Sequence, residues 1–312
     1  MANELHAIVN PIAGSGCTRR RWPRLAATLG AIGWQVRSYV TSAPGDATRI
    51  ARSLLHAGAR ELLSVGGDGT ANEIANGFFG DGEAFSPEAV LSIMPTGTGH
   101  DFGRSVGIRD TSEAVAALSA GRVCPVDVGF ADYHVGDRRQ SRCFINAADV
   151  GIGAVAAAKI NRSRKLAGGF LTYLFGAVRA IVTFQARSAQ VVVDGATLSD
   201  GPISMVLIAN GRFHAGGMRM APTAQMADGF LEVLVLRKVS RLALLLSLLP
   251  RAYAGTHVRH PGIRYARGRD VQVRATGLPL EMDGEQPGTT DVRIRVLPRA
   301  LRVRVPRAND CP

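Results

Sequence analysis

Leu62-Leu63-Ser64-Val65-Gly66-Gly67-Asp68-Gly69-Thr70-Ala71-Asn72-Glu73 decides the fold of this chain. Four mostly apolar residues read as a short buried strand. The glycines after it let the backbone turn tightly and approach a ligand without Cβ atoms in the way. Thr70 followed three residues later by Glu73 has capping-box spacing, which predicts that a helix starts there. Strand, glycine turn and helix N-terminus form a site for phosphate, because N–H groups and the positive end of the helix dipole converge on it. Asp68 is the unusual member. Alone its carboxylate repels phosphate; bridged through Mg²⁺ the two become compatible. The stretch therefore reads as a nucleotide-phosphate site that handles a metal.

Outward from it, the first part of the chain alternates strand and helix patterns in the manner of βαβ units. Leu5–Val9 reads as a strand, Asn10–Gly16 as a loop, Thr18–Leu29 as a helix and Trp34–Val40 as a strand. Thr41–Gly45 is a loop, with Asp46 expected to cap a helix reaching His56. A strand at Val90–Met94, the loop Pro95–Gly99 and a helix at Thr111–Leu118, capped by Thr111 or Ser112, complete the pattern. Loops after strand C-termini are where open α/β sheets bind ligands. Beyond Val123 the texture changes to strands with Gly and Pro punctuation: Cys143–Asp149, Gln190–Asp194, Ile203–Asn210, Leu231–Leu236, Val271–Ala275 and Val292–Val296. Helices are expected near 152–166, 169–184 and 240–249, and disorder at Ala308–Pro312. The expectation is an α/β nucleotide-binding domain over 1–125, with a three-layer parallel sheet. A mainly antiparallel β-sandwich domain with helices follows over 126–312.

At 312 residues, with 46% hydrophobic and 20% charged residues, the composition is that of a globular protein with enough core for two domains. A net charge of +12 favours anionic partners. The excess is almost wholly arginine, since Lys159, Lys165 and Lys238 are the lysines. Cys17, Cys124, Cys143 and Cys311 lie far apart without C-x-x-C spacing, which argues against a disulfide framework and for a reducing, cytoplasmic setting. Neither the run Leu242–Leu249 nor Gly168–Phe184, interrupted by Arg179, has the ~20 apolar residues a bilayer span needs.

Several phosphate and catalytic motifs are missing: G-x-x-x-x-G-K-[ST], the dinucleotide G-x-G-x-x-G and H-E-x-x-H. Asp101-Phe102-Gly103 spells a protein-kinase triplet without the catalytic loop that should precede it, and reads as a chance match. What remains is an ordered set. Asn10-Pro11-x-x-Gly14-Ser15-Gly16 comes first, then Gly66 to Glu73, then Pro95-x-Gly97-Thr98-x-x-Asp101-Phe102. Asn210-Gly211, Gly216-Gly217, Pro222, Asp228-Gly229 and Asp283-Gly284-Glu285 follow. In this order the blocks resemble the soluble diacylglycerol kinase family, which includes bacterial lipid kinases and the eukaryotic sphingosine and ceramide kinases. The resemblance covers nearly the whole chain.

The resemblance implies a two-domain lipid kinase with ATP in a cleft and Mg²⁺ as cofactor. Asn10, Pro11, Gly14, Ser15, Thr41, Gly66, Gly67, Asp68, Gly69, Thr70, Ala71, Asn72 and Thr98 would contact ATP. His100 stands where the family has Asn, so altered nucleotide contacts are expected there. A carboxylate of the Asp283-Gly284-Glu285 turn would accept the proton of the lipid hydroxyl, Glu285 being favoured and Asp283 lying nearer the metal. A structural Mg²⁺ would rest on Asp228 with backbone oxygens near Gln225 and Phe230.

Plainer readings stand beside these. Asp283-Gly284 and Asp228-Gly229 are also common turn pairs. Arg293, Arg295, Arg302 and Arg304 alternate with apolar residues, so they mark solvated strand faces or, more sharply, a basic surface for an anionic membrane. Leu242–Leu249 reads as a core helix, with a lipid-entry lip as the alternative. The partners implied are ATP, a lipid alcohol such as diacylglycerol, a sphingoid base or ceramide, and peripherally a membrane surface. No nucleic acid is expected, and a homodimer is left open. The rival functions are an NAD kinase-like enzyme, which shares the glycine turn, and a catalytically silent nucleotide- or membrane-binding regulator.

Overall fold

The computed structural model describes residues 3–97, 99–156, 178, 181, 183–307 and 311–312. The chain forms two compact units, Met1–Val128 with Pro298–Pro312, and Gly129–Leu297. The expected boundary near 125 is close, but the second domain does not run to residue 312. The stretch Pro298–Pro312 returns to the first unit.

The first unit runs β1 (Asn3–Val9), α1 (Cys17–Ala31), β2 (Trp34–Val40), α2 (Asp46–His56), β3 (Glu61–Gly66) and α3 (Asp68–Gly77). A small hairpin of β4 (Phe79–Gly80) and β5 (Glu83–Ala84) precedes β6 (Val90–Pro95), α4 (Asp101–Ser105), α5 (Thr111–Ala120) and the start of β7 (Arg122–Val135). β6, β3, β1 and β2 lie in that order, all parallel, and the returning C-terminal strand adds to β6 through Arg302 opposite Val90. β3 and β6 are buried at every position, the continuous apolar run expected of parallel strands covered on both faces.

Three helix starts differ from expectation. α3 begins at Asp68 with Gly67 as N-cap, so Thr70 and Glu73 do not form a capping box. Glu73 instead accepts the Ala47 N–H at 3.2 Å, tying α3 to α2. Asp46 is the first residue of α2, after a left-handed Gly45, and its carboxylate reaches back to the Ser42 hydroxyl at 2.6 Å. α5 is capped by Asp110, which accepts the N–H groups of Ser112 and Glu113 at 2.9 Å each. The expectation of unpaired cysteines is also corrected. Cys124 and Cys311 form a disulfide with Cα atoms 5.6 Å apart, while Cys17 and Cys143 stay free. A separation of 187 residues hid the pairing, because the C-terminal strand doubles back onto the first unit.

The second unit continues β7 and adds β8 (Arg138–Phe144), β9 (Ala147–Gly151), β10 (Arg187–Val193), β11 (Ala196–Ala209) and β12 (Leu231–Arg237). A helix α6 follows, an α–π–α rod of Arg241–Ala243, Leu244–Leu248 and Leu249–Ala254. β13 (Ile263–Gly268), β14 (Asp270–Arg274), β15 (Pro279–Met282) and β16 (Glu285–Val305) complete it. The sheet is antiparallel in the order β13-β12-β11-β10-β14-β16, and β9 pairs with both β11 and β15. Both faces are covered. Val206, Ile208, Val233 and Val235 enter one core, and their neighbours Leu207, Ala209, Leu234 and Leu236 enter another with Leu244 and Leu248 of α6. The strand expected over Cys143–Asp149 is broken at Ile145–Asn146, for a reason that lies in the site. Residues 152–156 are helical, but most of the helices expected near 152–166 and 169–184 lies outside the described residues, as do residues 308–310 of the tail.

The alternating arginines are engaged rather than free. Arg293 bonds Asp270 at 2.5 Å, Arg295 lies 3.6 Å from Asp132, Arg302 bonds Glu88 at 2.7 Å, and half-buried Arg304 bonds Glu61 at 2.7 Å. Each of these arginines thus has an acidic partner beside it. Among the described residues no helix is long and apolar enough to cross a membrane.

Candidate active site

In the first unit the predicted residues gather at the C-terminal ends of β1, β2, β3 and β6. The loops are held to one another by short polar bonds. Asn10 donates its backbone N–H to Val65 O at 3.0 Å and its side-chain amide to the Thr70 hydroxyl at 3.1 Å. Thr41 donates its N–H to Val9 O at 2.9 Å. The N–H groups of Thr96 and Gly97 both reach Gly66 O at 3.0 Å, and Thr18 bonds Thr96 hydroxyl to hydroxyl at 2.6 Å. Gly14 is left-handed (φ +59°), and a Cβ there would lie 2.5 Å from Thr96 O. Loop closure and not ligand approach alone demands this glycine.

Asp68 is half-buried at the first turn of α3. Its two oxygens accept the N–H groups of Asp101 (3.0 Å) and Phe102 (3.1 Å), the free N-terminal donors of α4. Asp101-Phe102 is thus a structural partner of the glycine turn, a pairing the sequence reading did not foresee. His100, the N-cap of α4, is left-handed at φ 63°, a region where Asn, Asp and His are enriched among non-glycine residues. That explains why His can stand where the resemblance puts Asn. Burial pushes the His100 imidazole down, while the Asp68 carboxylate beside it acts in the opposite direction. Thr70 is 6% exposed, Ala71 2% and Asn72 0%, so these three build the turn from beneath, while Gly67, Asp68 and Gly69 are more open. Pro11 and Ser15 lie on the loop after β1, and Thr98 lies outside the described residues.

In the second unit, Asp283 sits in the β15–β16 turn at φ 48° and is 4% exposed. Its carboxylate accepts three backbone N–H groups, from Ile145 at 2.7 Å, Asn146 at 3.1 Å and Ala147 at 2.9 Å. These bonds cause the break between β8 and β9. Two asparagines reinforce it: Asn146 bonds Phe213 O at 2.8 Å and Asn210 bonds Ile145 O at 2.9 Å. Glu285 is more accessible and pairs with Arg142 at 2.6 Å.

Behind this turn lies a set of buried ionisable groups that the sequence reading missed. Asp149 of β9 stands opposite Glu281 of β15. It is fully buried, accepts the Ala154 N–H at 3.2 Å, and is pushed up to about 7 by burial. His214 lies 3.5 Å from Glu281 and is pushed down to about 4 by burial. The signal was present in Asn146 and Asp149, polar residues three apart in an otherwise apolar stretch of sequence.

At the position expected to hold a structural metal, Asp228 is engaged by protein groups. Its carboxylate accepts the Phe230 N–H at 3.0 Å and is ion-paired with Arg267, whose guanidinium also stands 4.8 Å over the Phe230 ring. The guanidinium supplies the positive charge that a cation would bring, and a divalent ion on Asp228 would have to displace it. Gln225 is exposed on the same loop. Among the described residues, no group of three or more His, Cys, Asp or Glu side chains is gathered to hold a metal.

Comparison with known proteins matches two family models to successive parts of the chain. Residues 4–131 match the diacylglycerol kinase catalytic domain, and residues 146–305 match the YegS C-terminal NAD kinase beta sandwich-like domain. The chain is 27% identical over 311 residues to a diacylglycerol kinase of Staphylococcus carnosus (strain TM300), covering 98% of this chain and 96% of the relative. It is 28% identical over 310 residues to a diacylglycerol kinase of Staphylococcus aureus (strain NCTC 8325 / PS 47), covering 98% and 93%. Among solved structures, a diacylglycerol kinase from Bacillus anthracis str. Sterne superimposes with a TM-score of 0.72 at 20% identity over 97% of each chain. An NAD kinase from Archaeoglobus fulgidus in complex with ATP shares the fold at a TM-score of 0.52 and 14% identity, over 97% of this chain and 94% of that one.

Proposed function

This chain belongs to the bacterial soluble lipid kinase family, which joins a diacylglycerol kinase catalytic domain to a YegS C-terminal NAD kinase beta sandwich-like domain. From that premise we propose that it transfers the γ-phosphoryl group of ATP to the hydroxyl of a lipid such as diacylglycerol or a sphingoid- or ceramide-type alcohol. The observation that carries this reading is the gathering of the Asn10, Thr41, Gly66–Gly69 and Thr96–Gly97 loops at one end of a parallel sheet, with Asp68 half-buried among them. Gly67 and Gly69 let phosphate oxygens approach the N-terminus of α3. Each Asp68 oxygen accepts one N–H and keeps a further lone pair, so Asp68 could hold the Mg²⁺ of Mg-ATP together with phosphate oxygens. When bound, Mg²⁺ neutralises charge on the transferring phosphoryl group.

The Asp283-Gly284-Glu285 turn supplies the carboxylate that takes the proton as the lipid oxygen bonds phosphorus and ADP leaves. Glu285 is assigned this role, because three backbone N–H groups already engage the oxygens of Asp283. Labelled ATP offered with a panel of lipid alcohols and, separately, with NAD tests the reading. Phosphorylated lipid that disappears in Asp68→Ala supports it; phosphorylation of NAD alone, or of nothing, overturns it. Glu285→Gln and Asp283→Asn then test the base. Loss of kcat in Glu285→Gln with unchanged stability supports Glu285, and an active Glu285→Gln beside a dead but folded Asp283→Asn transfers the role to Asp283.

A further inference from the structure

α6 of the second unit carries two leucines that its fold does not use. Leu242 and Leu246 are 66% and 72% exposed, whereas Leu244 and Leu248 are 7% and 5% exposed in the core. Four residues apart, Leu242 and Leu246 share one helix face. The chain around them carries a single sign of charge: from Val233 to Arg269 there is no Asp or Glu. Within that stretch Arg237, Lys238, Arg241, Arg251, Arg259 and Arg264 are exposed, and none has an acidic partner among the described residues. This sets the region apart from the alternating arginines of β16, each of which is paired with an acid. Arg237 and Lys238 lie just ahead of α6, Arg264 stands opposite Val235 near the same end of β12, and Arg251 lies near the other end of the helix.

We propose that α6 is the element that docks this chain onto an anionic lipid bilayer, with Leu242 and Leu246 entering the boundary between headgroups and acyl chains and the surrounding cations bonding lipid phosphates. The proposal rests on the lipid-kinase reading, which places the acceptor in a bilayer, and assigns the surface that meets it. A bilayer fits better than a protein partner because the apolar wedge is two side chains wide. A stable protein interface needs roughly 800 Å² per side, whereas a lipid boundary takes up isolated leucines beside lysine and arginine.

Cosedimentation of the full chain with phosphatidylcholine vesicles, with and without phosphatidylglycerol, tests it. Binding should require the anionic lipid and fall with salt. Leu242→Ser with Leu246→Ser should weaken binding on the order of tenfold per leucine. Each of Arg237→Glu, Lys238→Glu and Arg241→Glu should weaken it roughly fivefold or more. Phosphorylation of a short-chain, monomeric lipid should stay unchanged, which separates failure of the docking surface from failure of the lipid-kinase reading. Leu246→Trp provides a second readout, a blue-shifted emission quenched by brominated acyl chains. Variants that bind anionic vesicles as tightly as the parent overturn the proposal. So does a change from dimer to monomer in the leucine variants, which would make the face a contact between two copies.

Discussion

Each unit presents an Asp-Gly turn in which the carboxylate first serves backbone. Asp68 holds two N–H groups at the start of α4, and Asp283 holds three at the break between β8 and β9. Their settings differ. Asp68 is half-buried at the rim of a parallel sheet, while Asp283 is 4% exposed among antiparallel strands. At a rim, one acid can organise a neighbouring loop and still face a ligand. A buried acid becomes part of the frame. Asp283→Ala strands three donors and should lower unfolding free energy by about 4 kcal/mol. Asp68→Ala removes a helix cap and should cost about 1 kcal/mol while abolishing turnover. Urea denaturation of both variants checks the contrast, and equal losses would break it.

The units also differ in covalent bracing. The Cys124–Cys311 disulfide joins two stretches of the first unit that are 187 residues apart in sequence, whereas Cys143 of the second is a buried thiol pushed up to about 12 by burial. Cys311→Ser should cost about 3 kcal/mol. Peptide mapping of the native protein should recover the 124–311 pair, and alkylation without denaturant should label Cys17 while sparing Cys143. Labelling of all four cysteines in native protein would remove the distinction.

Smaller effects separate glycines that close loops from those that face a ligand. A Cβ on Gly97 would lie 2.6 Å from the Gly67 Cα, backbone against backbone with no flexible atom to yield. Gly97→Ala should therefore cost about 2 kcal/mol. A Cβ on Gly67 meets nothing nearer than 3.7 Å, and its φ of −105° suits any residue. Gly67→Ala should leave the melting temperature near that of the parent and raise the KM for ATP. A matched loss of stability in both variants would mean that Gly67 is structural too.

The alternation of strand and helix was legible as far as Ala120 because β3 and β6 are short apolar runs bounded by turn residues. Helix starts were less so. Capping-box spacing at Thr70 and Glu73 is a local signal, and it lost to a tertiary one when Asn10 took the Thr70 hydroxyl and Ala47 took Glu73. The phosphate-loop residues were readable as motifs, but the partners of Asp68 and Asp283 lie 33 and 136 or more residues away, and no local pattern encodes them. For the same reason the return of Pro298–Pro312 to the first unit and the disulfide it permits were invisible. Arg267 beside Asp228 shows the converse: a motif acid can be legible while its occupant is not.

The least conspicuous expectation is a cancellation inside the second unit. Asp149, raised to about 7 from the usual carboxylate value near 4, makes the folded state hold an extra proton across that window. Its contribution to stability therefore falls as pH rises from about 4 to 7. His214, lowered to about 4, makes the unfolded state hold the extra proton between about 4 and 6.5, so its contribution rises with pH there. The slopes are opposite over most of the same range and largely offset each other in the intact protein. Asp149→Asn leaves the histidine slope alone, and stability should then climb by up to about 1 kcal/mol per pH unit between pH 4 and 6.5. His214→Gln should give the opposite tilt, extending to pH 7. Chemical denaturation at half-unit pH steps reads both. The first unit's His100 is also lowered by burial, but the Asp68 carboxylate beside it opposes that shift, so His100→Asn should tilt the profile less than either variant. Profiles that overlay the parent for both Asp149→Asn and His214→Gln would show that these groups are hydrated in solution, and the contrast between an open rim and a closed frame would lose its main support.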